Sequence, residues 1–581
     1  MCGISGIFSN QIDESKTNLL KKINYNISHR GPDNIGSLTY DNIIFGHNRL
    51  AILDLSKNGL QPMISSSGRY IITYNGEIYN HLKIRENHFS KFAWKSLSDT
   101  ETLVELIDKF GLESSLKLID GMYAFGVWDK KEKKLSIVRD RFGEKPIYFG
   151  FHENKFIFAS ELKAFEIFKK DLFVDLNSVR QYLNYSYIPS PQTIYKNIYK
   201  LKPGHFLSVG TKIFQSNFKN NFENFFNIFN LKQKKYWSQF DNTLSIKDKS
   251  YNEYRLEIKN SLEQSVKDKM LSDVPVGVFL SGGIDSSLLT SIASKHSNNK
   301  LDTFTISSES VNFDESERAQ EISKYLNTKH HTINVNKSDQ IDVIQDLNSI
   351  YDEPFADSSQ IPSIILSKYT KNFVKVALTG DGADEIFYGY NRYIHSKKIW
   401  KKIKFLPKSI KKIISYLLYN ISPDKWIYIQ NFLNNFKSSN TNFELLDEKM
   451  YKIGDSLSNS DTILDHYKSL LMIWQKNEKI FLNEEEYLID DFSFDQFQIN
   501  EDNFDNKINL LDIESYLPDD ILVKTDRSSM KFGLETRAPY LSPNLLNITK
   551  TMPQSFKSND NRGKLILRDL LKDYLPVKFS E

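Results

Sequence analysis

Hydrophobic and polar positions divide this chain into two parts with different rhythms. In the first 160 residues, short apolar runs between turn residues predict strands at 70–74, 124–128, 135–139 and 147–149, with a turn signal at Asn75-Gly76. Asp99–Phe110 instead has helical spacing, with its leucine, isoleucine and phenylalanine residues on one face. Strands with few helices between them favour antiparallel sheets covered by helices.

After Trp237 the pattern changes to strands that alternate with helices. Buried strands are predicted at 276–280, around Phe304 and Ile306, at 332–335 and at 374–378, and helices follow the first two of them. This alternation is typical of a parallel, doubly wound sheet. Residues 213–235 are rich in Asn and Phe and lack a clean period, which indicates a linker insertion. The chain is therefore divided into domains at 2–212 and 237–581, with a linker at 213–236.

Composition and charge exclude several classes of protein. Apolar residues make up 40% of the 581 positions, and 76 basic against 73 acidic residues leave +3, so neither disorder nor nucleic-acid binding is favoured. No apolar run reaches the roughly 18 residues of a membrane span, and no basic segment precedes the first apolar residues as in a secretory signal. One cysteine cannot form an intrachain disulfide. We expect a cytoplasmic enzyme, and the Lys-rich stretch 397–412 is predicted to be a solvated helix face.

The single cysteine, Cys2, is a candidate nucleophile because of its position. Removal of Met1 would leave a thiol and a free α-amino group on one residue. The amine, with a pKa of about 7.7 to 8, can accept the thiol proton near neutral pH. The alternative is that Cys2 packs in the core as a small hydrophobic residue, which is the usual role of a lone cysteine.

Several separated motifs decide between these alternatives. They are Cys2-Gly3-Ile4, His29-Arg30-Gly31-Pro32-Asp33, Gly46-His47-Asn48-Arg49, Tyr74-Asn75-Gly76-Glu77 and Ser98-Asp99-Thr100-Glu101. Together they resemble the class II glutamine amidotransferase domain of the N-terminal-nucleophile hydrolases. The resemblance implies a sandwich of antiparallel sheets with helices, in which Cys2 attacks the side-chain amide of glutamine, forms a glutamyl thioester and releases ammonia.

Chemistry assigns partners to this nucleophile. A tetrahedral intermediate needs hydrogen-bond donors for its oxyanion, and the Asn75 side chain with the Gly76 backbone N–H suits that role. Arg49 can clamp the α-carboxylate of glutamine, and Asp99, assisted by Glu77, can pair with its α-ammonium. Surface ion pairing is the alternative for Arg49 and Asp99, and Asp99 could also be the N-cap of its helix.

A glycine-rich loop, Ser281-Gly282-Gly283-Ile284-Asp285-Ser286-Ser287, lies between a predicted strand and a predicted helix. Its glycines let backbone N–H groups approach an anion at the helix N-terminus, and its hydroxyls add donors. Because Asp285 would repel a phosphate, this carboxylate implies a bridging Mg²⁺. The loop resembles the pyrophosphate loop of ATP pyrophosphatases, which cleave ATP to AMP and diphosphate; a plain glycine-rich turn is the alternative.

A second loop, Thr379-Gly380-Asp381-Gly382-Ala383-Asp384-Glu385, follows another strand. Asp384 is the candidate second Mg²⁺ ligand opposite Asp285, and Asp381 lies where an acyl-adenylate would form. The resemblance places adenosine beside Leu280, Ile306, Thr379 and Gly380. Taken alone, this loop would be an ordinary surface turn.

The order of the two domains resembles glutamine-hydrolysing asparagine synthetases. The match continues through Tyr351-Asp352-Glu353-Pro354, Lys524-Thr525-Asp526-Arg527 and Glu535-Thr536-Arg537-Ala538-Pro539. It implies a ligase that uses ATP and Mg²⁺ to activate a carboxylate, with aspartate favoured as the acceptor. The oligomeric state stays open, with a homodimer as one alternative. A glutaminase whose second domain binds nucleotide without turnover is an alternative, whereas the loop at 281–287 argues against a phosphoribosyl amidotransferase.

Two departures from the family pattern qualify these expectations. Asp381 stands where many relatives have glutamate, as in relatives from surface-polysaccharide pathways that are suspected of amidating sugar carboxylates. A sugar acid is therefore the alternative acceptor. In the family, a lysine that helps the synthetase step lies several residues beyond the position of Lys578, so the resemblance implies a C-terminally truncated chain.

Overall fold

The computed structural model describes residues 1–215, 232–241, 248–308, 315–435, 446–474 and 497–580. Most of the predicted linker, residues 216–231, lies outside this range. The described residues that flank it belong to the first domain, because Lys234–Lys235 pairs with the strand His205–Gly210.

Two six-stranded antiparallel sheets form the first domain, in the orders β10-β8-β9-β1-β3-β2 and β12-β11-β7-β6-β5-β4. Their strands are β1 Gly3–Ser9, β2 Asn34–Tyr40, β3 Ile43–Arg49, β4 Met63–Ile64, β5 Tyr70–Ile78, β6 Gly121–Asp129, β7 Lys134–Arg139, β8 Tyr148–His152, β9 Lys155–Ala159, β10 Ile198–Lys200, β11 His205–Gly210 and β12 Lys234–Lys235.

The two sheets pack face to face over an aromatic core that includes Phe8, Phe45, Trp128 and Phe158. Helices cover the outer faces. These are α1 Glu14–Asn26, α2 His81–His88, α3 Asp99–Phe110, α4 Leu112–Leu118 and α5 Leu176–Tyr185. The predicted sandwich of antiparallel sheets with helices is confirmed.

A five-stranded parallel sheet organises the second domain, in the order β15-β14-β13-β16-β17. Its strands are β13 Val276–Phe279, β14 Asp302–Ser308, β15 Lys329–Val335, β16 Val376–Leu378 and β17 Glu535–Arg537. Separate apolar clusters cover its two faces, one around Val278 and Leu289 and the other around Phe304 and Val374. A parallel sheet covered on both faces confirms the predicted doubly wound architecture.

Sixteen α-helices of this domain fall within the described residues, besides a π-helical turn at Leu517–Ile521 and a 3₁₀ turn at Val577–Phe579. They are α6 Tyr251–Lys269, α7 Ile284–His296, α8 Ser316–Leu326, α9 Lys337–Ile350, α10 Gln360–Thr370, α11 Ala383–Ile386, α12 Asn391–Ile403, α13 Lys408–Tyr419, α14 Pro423–Asn435, α15 Leu446–Asn459, α16 Ile463–Leu471, α17 Phe504–Glu514, α18 Leu522–Met530, α19 Pro543–Thr551, α20 Gln554–Lys557 and α21 Leu565–Leu571.

Two local predictions are wrong. Asn75 and Gly76 do not form a turn but continue β5, opposite Ala124 and Tyr123 of β6. The pairing of nine residues with β6 outweighs the local turn tendency of Asn-Gly. The N-cap of α3 is Ser98, whose hydroxyl accepts from the Thr100 N–H, and not Asp99.

The Lys-rich stretch is only partly a solvated face, since Lys411 is buried and its ammonium donates to the Ser460 carbonyl at 3.2 Å. None of the helices among the described residues combines the length and the apolar character needed to cross a bilayer.

Candidate active sites

The predicted residues of the first domain converge on one small pocket. Strand β1 begins beside Cys2, β3 ends at Arg49, β5 carries Asn75 to Glu77, and α3 begins at Asp99. The pocket, here the Cys2 pocket, is lined by Cys2, Arg49, Gly76, Glu77 and Asp99 among others. Asn75 joins them through its contact with Cys2.

The thiol of Cys2 is buried, and its Sγ lies 3.9 Å from the Leu50 carbonyl oxygen. Burial raises the pKa of this thiol, while the nearby N-terminal ammonium acts in the opposite direction. A buried thiol with a raised pKa needs a local base to become a nucleophile. No histidine is among the described residues that line the pocket. Burial lowers the pKa of nearby His47 to about 3, and its Nε2 lies 3.2 Å from the Tyr74 carbonyl oxygen, so this imidazole is a poor base.

Asn75 has one amide atom engaged and the other free. Its Oδ1 accepts from the Cys2 N–H at 2.7 Å, whereas its buried Nδ2 has no hydrogen-bond partner. A buried donor without a partner is costly unless a ligand supplies an acceptor. The neighbouring Gly76 cannot carry a side chain, because a Cβ there would lie 2.1 Å from the Met122 carbonyl oxygen. The two residues thus offer donors on a closely packed strand.

Arg49 is held rigidly at the opposite wall. Its guanidinium donates to the Ser56 carbonyl at 2.9 Å and to the Asp54 carbonyl. Both of these partners are neutral carbonyl oxygens. The nearby Asp54 carboxylate, whose pKa Arg49 helps to lower, accepts hydrogen bonds from Ser56 and Leu97. The positive charge of Arg49 is therefore only partly offset and can attract an incoming carboxylate.

Two buried carboxylates face this arginine across the pocket. Asp99 accepts from the Tyr74 hydroxyl at 2.6 Å and the Ile78 N–H at 2.8 Å, while Glu77 Oε1 has no partner. Burial raises the pKa of both Asp99 and Glu77. A cationic ligand would reverse that cost, so the pocket is chemically suited to an amino acid with its carboxylate at Arg49 and its ammonium at Asp99 and Glu77.

Residues of the second domain complete the Cys2 pocket, and their role was not foreseen from the sequence. Glu535 of β17 lines it and forms an ion pair with the Met1 ammonium. Arg537, two residues on, donates to Glu535 at 2.7 Å and lies 3.4 Å from Glu77. Their motif was noted as part of the family match, but only the folded chain brings it to Cys2.

The predicted nucleotide residues line a larger cavity of about 690 Å³, here the phosphate-loop cavity. The loop at 281–287 joins β13 to α7, and that at 379–385 joins β16 to α11. Predicted residues that line the cavity are Leu280, Ser281, Gly283, Asp285, Ser286, Ile306, Thr379, Gly380, Asp381 and Asp384. The carboxyl ends of parallel strands are the usual ligand site of such sheets.

Gly282 and Ser287 lie beside this cavity. Gly282, with a φ of +86°, turns the loop and lines an adjoining basic cleft with Arg318, Lys564 and Arg568. The Ser287 hydroxyl is buried without a hydrogen-bond partner. The Ser281 and Ser286 hydroxyls lie 3.1 Å apart. The loop therefore presents hydroxyls and backbone N–H groups at the start of α7, as an anion site requires.

Asp285 and Asp384, the predicted metal ligands, lie on either side of one lysine. The Lys564 ammonium contacts Asp285 and lies 2.6 Å from Asp384. The outer oxygen of Asp285, Oδ1, is buried without a partner, and burial together with Asp384 raises the pKa of Asp285 to about 6. Two carboxylates on one lysine, with one oxygen unsatisfied, have the oxygen chemistry that could hold a Mg²⁺. Lys564 was missed because no sequence signal connects it to either loop.

Asp381 is held by two hydroxyls. Thr379 and Thr525 donate to its Oδ2 at 2.8 and 3.0 Å. Thr525 belongs to α18, which also brings Lys524 to the cavity, 2.9 Å from the Ser359 hydroxyl. Glu385, also on the cavity wall, accepts from the Tyr390 hydroxyl at 2.7 Å, and burial raises its pKa to about 7.

A small cavity lies at the boundary between the two sites. Glu144 and Lys145 of the first domain line it together with Thr379, Asp381 and Thr536 of the second. Nearby, Arg30 pairs bidentately with Asp526 at 2.8 Å and donates to the Cys2 carbonyl at 3.2 Å.

Lys578, near the chain end, is exposed and pairs with Glu321 at 2.7 Å.

Two family models match the chain. The model described as asparagine synthase matches residues 257–581, and the one described as glutamine amidotransferase domain matches residues 1–220.

Curated relatives match across most of the chain. Asparagine synthetase [glutamine-hydrolyzing] 1 of Bacillus subtilis is 29% identical and covers 99% of this chain and 85% of its own length. Putative asparagine synthetase [glutamine-hydrolyzing] 2 of Methanocaldococcus jannaschii is 36% identical over 72% of this chain and 81% of its own length. Asparagine synthetase B [glutamine-hydrolyzing] of Escherichia coli is 28% identical, with coverages of 72% and 70%.

Proposed function

This chain belongs to the asparagine synthase family, and from that premise we propose that it transfers ammonia from glutamine to the side-chain carboxylate of aspartate, with ATP cleaved to AMP and diphosphate. The observation that carries the proposal is the gathering of Cys2, Arg49, Asn75 and Asp99 at one pocket, with the Asn75 amide donor free. A second pocket with two strand-end loops then supplies the ATP site.

Glutamine hydrolysis begins once Met1 has been removed. The freed α-amine of Cys2 takes the thiol proton, and Sγ attacks the side-chain carbonyl carbon of glutamine. Asn75 Nδ2 and the Gly76 N–H donate to the oxygen that becomes negative. The ammonium then returns its proton to the departing nitrogen, so that ammonia leaves and a thioester remains. Water cleaves the thioester to glutamate and regenerates the thiol.

Amide formation takes place at the phosphate-loop cavity. An aspartate carboxylate oxygen attacks the α-phosphorus of ATP, and diphosphate leaves. Ammonia then attacks the acyl carbon, and AMP leaves. The hydroxyls at 281 and 286, Lys564 and the N-terminus of α7 hold the phosphates. Asp285 and Asp384 would hold Mg²⁺, whose positive charge would offset the negative charge of the phosphates.

Ammonia must reach the second site without meeting bulk water, since protonation would end its nucleophilicity. The small cavity lined by Lys145, Asp381 and Thr536 lies at the domain boundary and shares Asp381 and Thr536 with the lining of the phosphate-loop cavity, which supports a place on such a path. We assign it to the ammonia passage.

Aspartate is the preferred acceptor because the cavity wall offers anionic groups to its α-ammonium. Glu385, 1% exposed, is the best placed of these, and its raised pKa would return toward normal beside a cation. A sugar carboxylate has no ammonium for this group to bind.

The acceptor is tested by AMP formation with ammonia supplied directly, across aspartate and several uronic acids. Aspartate-dependent AMP release is expected, together with an amide product. AMP release with a uronic acid alone would reassign the acceptor. A chain that cleaves glutamine but releases no AMP with any acid would be a glutaminase.

A further inference from the structure

A three-residue strand of the second domain reaches both sites. In β17, Glu535 faces the Cys2 pocket, and the next residue, Thr536, lines the phosphate-loop cavity. Successive side chains of a strand point to opposite faces, so Arg537 returns to the side of Glu535. The strand also holds the second loop in place, because the Thr379 N–H donates to the Arg537 carbonyl at 2.9 Å.

The side chains of Glu535 and Arg537 are buried and mutually fixed. Arg537 donates from Nε to Glu535 at 2.7 Å and from Nη1 to the carbonyls of Lys269 and Leu271 at 2.8 and 2.7 Å. Its Nη2 lies 3.4 Å from Glu77. The guanidinium thus connects a carboxylate of each domain and cannot turn away without breaking buried contacts.

The opposite end of the network is the chain's N-terminal ammonium. In the structure this group belongs to Met1, which pairs with Glu535. Removal of Met1 moves the amine to Cys2, at most one residue's spacing away, about 3.8 Å. At that separation the Glu535 carboxylate still stabilises the protonated amine, and Arg537 offsets part of the effect.

We infer that Glu535 and Arg537 are positioning residues for glutamine hydrolysis, supplied by the synthetase domain, which place the Cys2 α-amine and set the pH at which it loses its proton. The inference rests on the proposed role of that amine as the base. With Met1 in place, its ammonium and Arg537 outweigh burial and lower the pKa of Glu535 to about 2. Arg537 still pairs with this carboxylate after Met1 is removed, which favours its ionised form.

Other charged or titratable groups also face this network. They are His47 and Arg49 of β3, Tyr74 and Glu77 of β5, Tyr79 after β5, Asp99 of α3, Lys145 of the loop before β8, and Lys269 of α6. Glu535 also raises, and Arg537 lowers, the pKa values of Glu77 and Asp99, in the same directions as for the amine. The opposite signs of the shifts in the two variants below therefore carry the test.

Neutralising Glu535 and neutralising Arg537 should shift the pH profile of glutamine hydrolysis in opposite directions. With Glu535→Gln the amine loses a stabilising carboxylate, so the acidic limb of kcat/KM for glutamine hydrolysis moves to lower pH, by about 0.5 to 1 unit. With Arg537→Gln the carboxylate acts unopposed, and the same limb moves to higher pH. Loss of position lowers kcat in both variants, by about tenfold, and leaves KM for glutamine less affected.

Asp519→Asn is the matched control at the domain interface. This buried carboxylate accepts from the N–H and hydroxyl of Ser190, at 2.7 and 2.6 Å, without reaching the Cys2 pocket. The acidic limb of kcat/KM for glutamine hydrolysis in Asp519→Asn should coincide with that of the unmodified chain. If Arg537→Gln does not fold, judged by its melting temperature, Arg537→Lys replaces it and should show a smaller shift in the same direction.

The outcomes separate the inference from the proposed function. If Cys2→Ala still hydrolyses glutamine, the nucleophile assignment fails. If Cys2→Ala is inactive but the Glu535 and Arg537 variants keep the original pH profile, or both shift in one direction, the positioning role is overturned.

Discussion

At the scale of single residues, the decisive problem is how a buried thiol loses its proton. Burial raises the pKa of Cys2, and the neighbouring His47 is held neutral by its own burial. In the proposed mechanism, removal of Met1 frees the amine of the same residue to act as the base. Three carboxylates and two arginines surround this group, so its chemistry depends on charges that belong to both domains.

Cys2→Ala is expected to abolish glutamine hydrolysis while ammonia-dependent amide formation continues, because the nucleophile is lost but the second pocket is untouched. Glutamate release and amide product are measured in parallel. A chain that retains Met1, identified by mass spectrometry, should likewise lose glutamine hydrolysis and keep ammonia-dependent amide formation. Glutamate release by either form at the original rate would contradict the assignment.

Asn75→Ala should lower kcat for glutamine hydrolysis by about 100-fold, since the oxyanion loses a donor. Asn75→Asp distinguishes the two functions of this amide. It keeps an acceptor for the Cys2 N–H but has no Nδ2. An Asp variant with near-original kcat would mean that orientation of Cys2, and not donation to the oxyanion, is the role of Asn75.

Asp285→Asn should eliminate ATP cleavage and spare glutamine hydrolysis, because an amide cannot hold Mg²⁺ between phosphates. AMP release is measured against Mg²⁺ concentration. Asp302→Asn, which changes a carboxylate paired with His331 at 2.8 Å outside the cavity lining, is the control. An unchanged Mg²⁺ dependence in the Asp285 variant would remove the metal role.

The sequence alone identified candidate site residues that belong to one short motif, such as Cys2, Asn75 and the loop at 281–287. Residues brought in by folding could not. Lys564 lies 279 positions from Asp285, and Glu535 lies 534 positions from Met1. No local pattern encodes such contacts, and their chemistry is visible only when the second domain packs on the first.

At the scale of secondary-structure elements, local signals and strand pairing compete. Helix α3 has the predicted bounds because Ser98 caps its start and Gly111, with a φ of +77°, ends it. The Asn75-Gly76 signal fails because the pairing of β5 with β6 continues without a break through both residues. In this strand Gly76 allows the backbones of β5 and β6 to approach closely, and it does not form a turn.

Gly76→Ala should therefore destabilise the fold as well as the site. Its Cβ would lie 2.1 Å from the Met122 carbonyl oxygen, so β5 and β6 must separate. A loss of about 1 to 3 kcal/mol in the free energy of unfolding is expected. Gly210→Ala, whose Cβ would meet only the Lys133 carbonyl at 4.0 Å, should change stability by less than about 0.5 kcal/mol. Urea unfolding measures both, and equal values would contradict the packing account.

At the scale of the whole molecule, the two domains share charges across a buried boundary. Arg30 connects Cys2 with Asp526, and Arg537 connects Glu77 with Glu535. Removing one partner of such a buried pair typically costs about 3 to 5 kcal/mol, so the domains should keep a fixed relation during turnover. A fixed boundary suits the transfer of an unprotonated ammonia molecule from one site to the other.

The most direct test of the account follows the nitrogen atom itself. Glutamine labelled with ¹⁵N in its side-chain amide is supplied with ATP, Mg²⁺, aspartate and an excess of unlabelled ammonium. The account predicts ¹⁵N in the amide of asparagine, AMP in equal amount, and loss of the label from the product in Cys2→Ala, which should then use the unlabelled ammonium. Asparagine from the unmodified chain with no more ¹⁵N than the product of Cys2→Ala, or no asparagine despite glutamine hydrolysis, would contradict it.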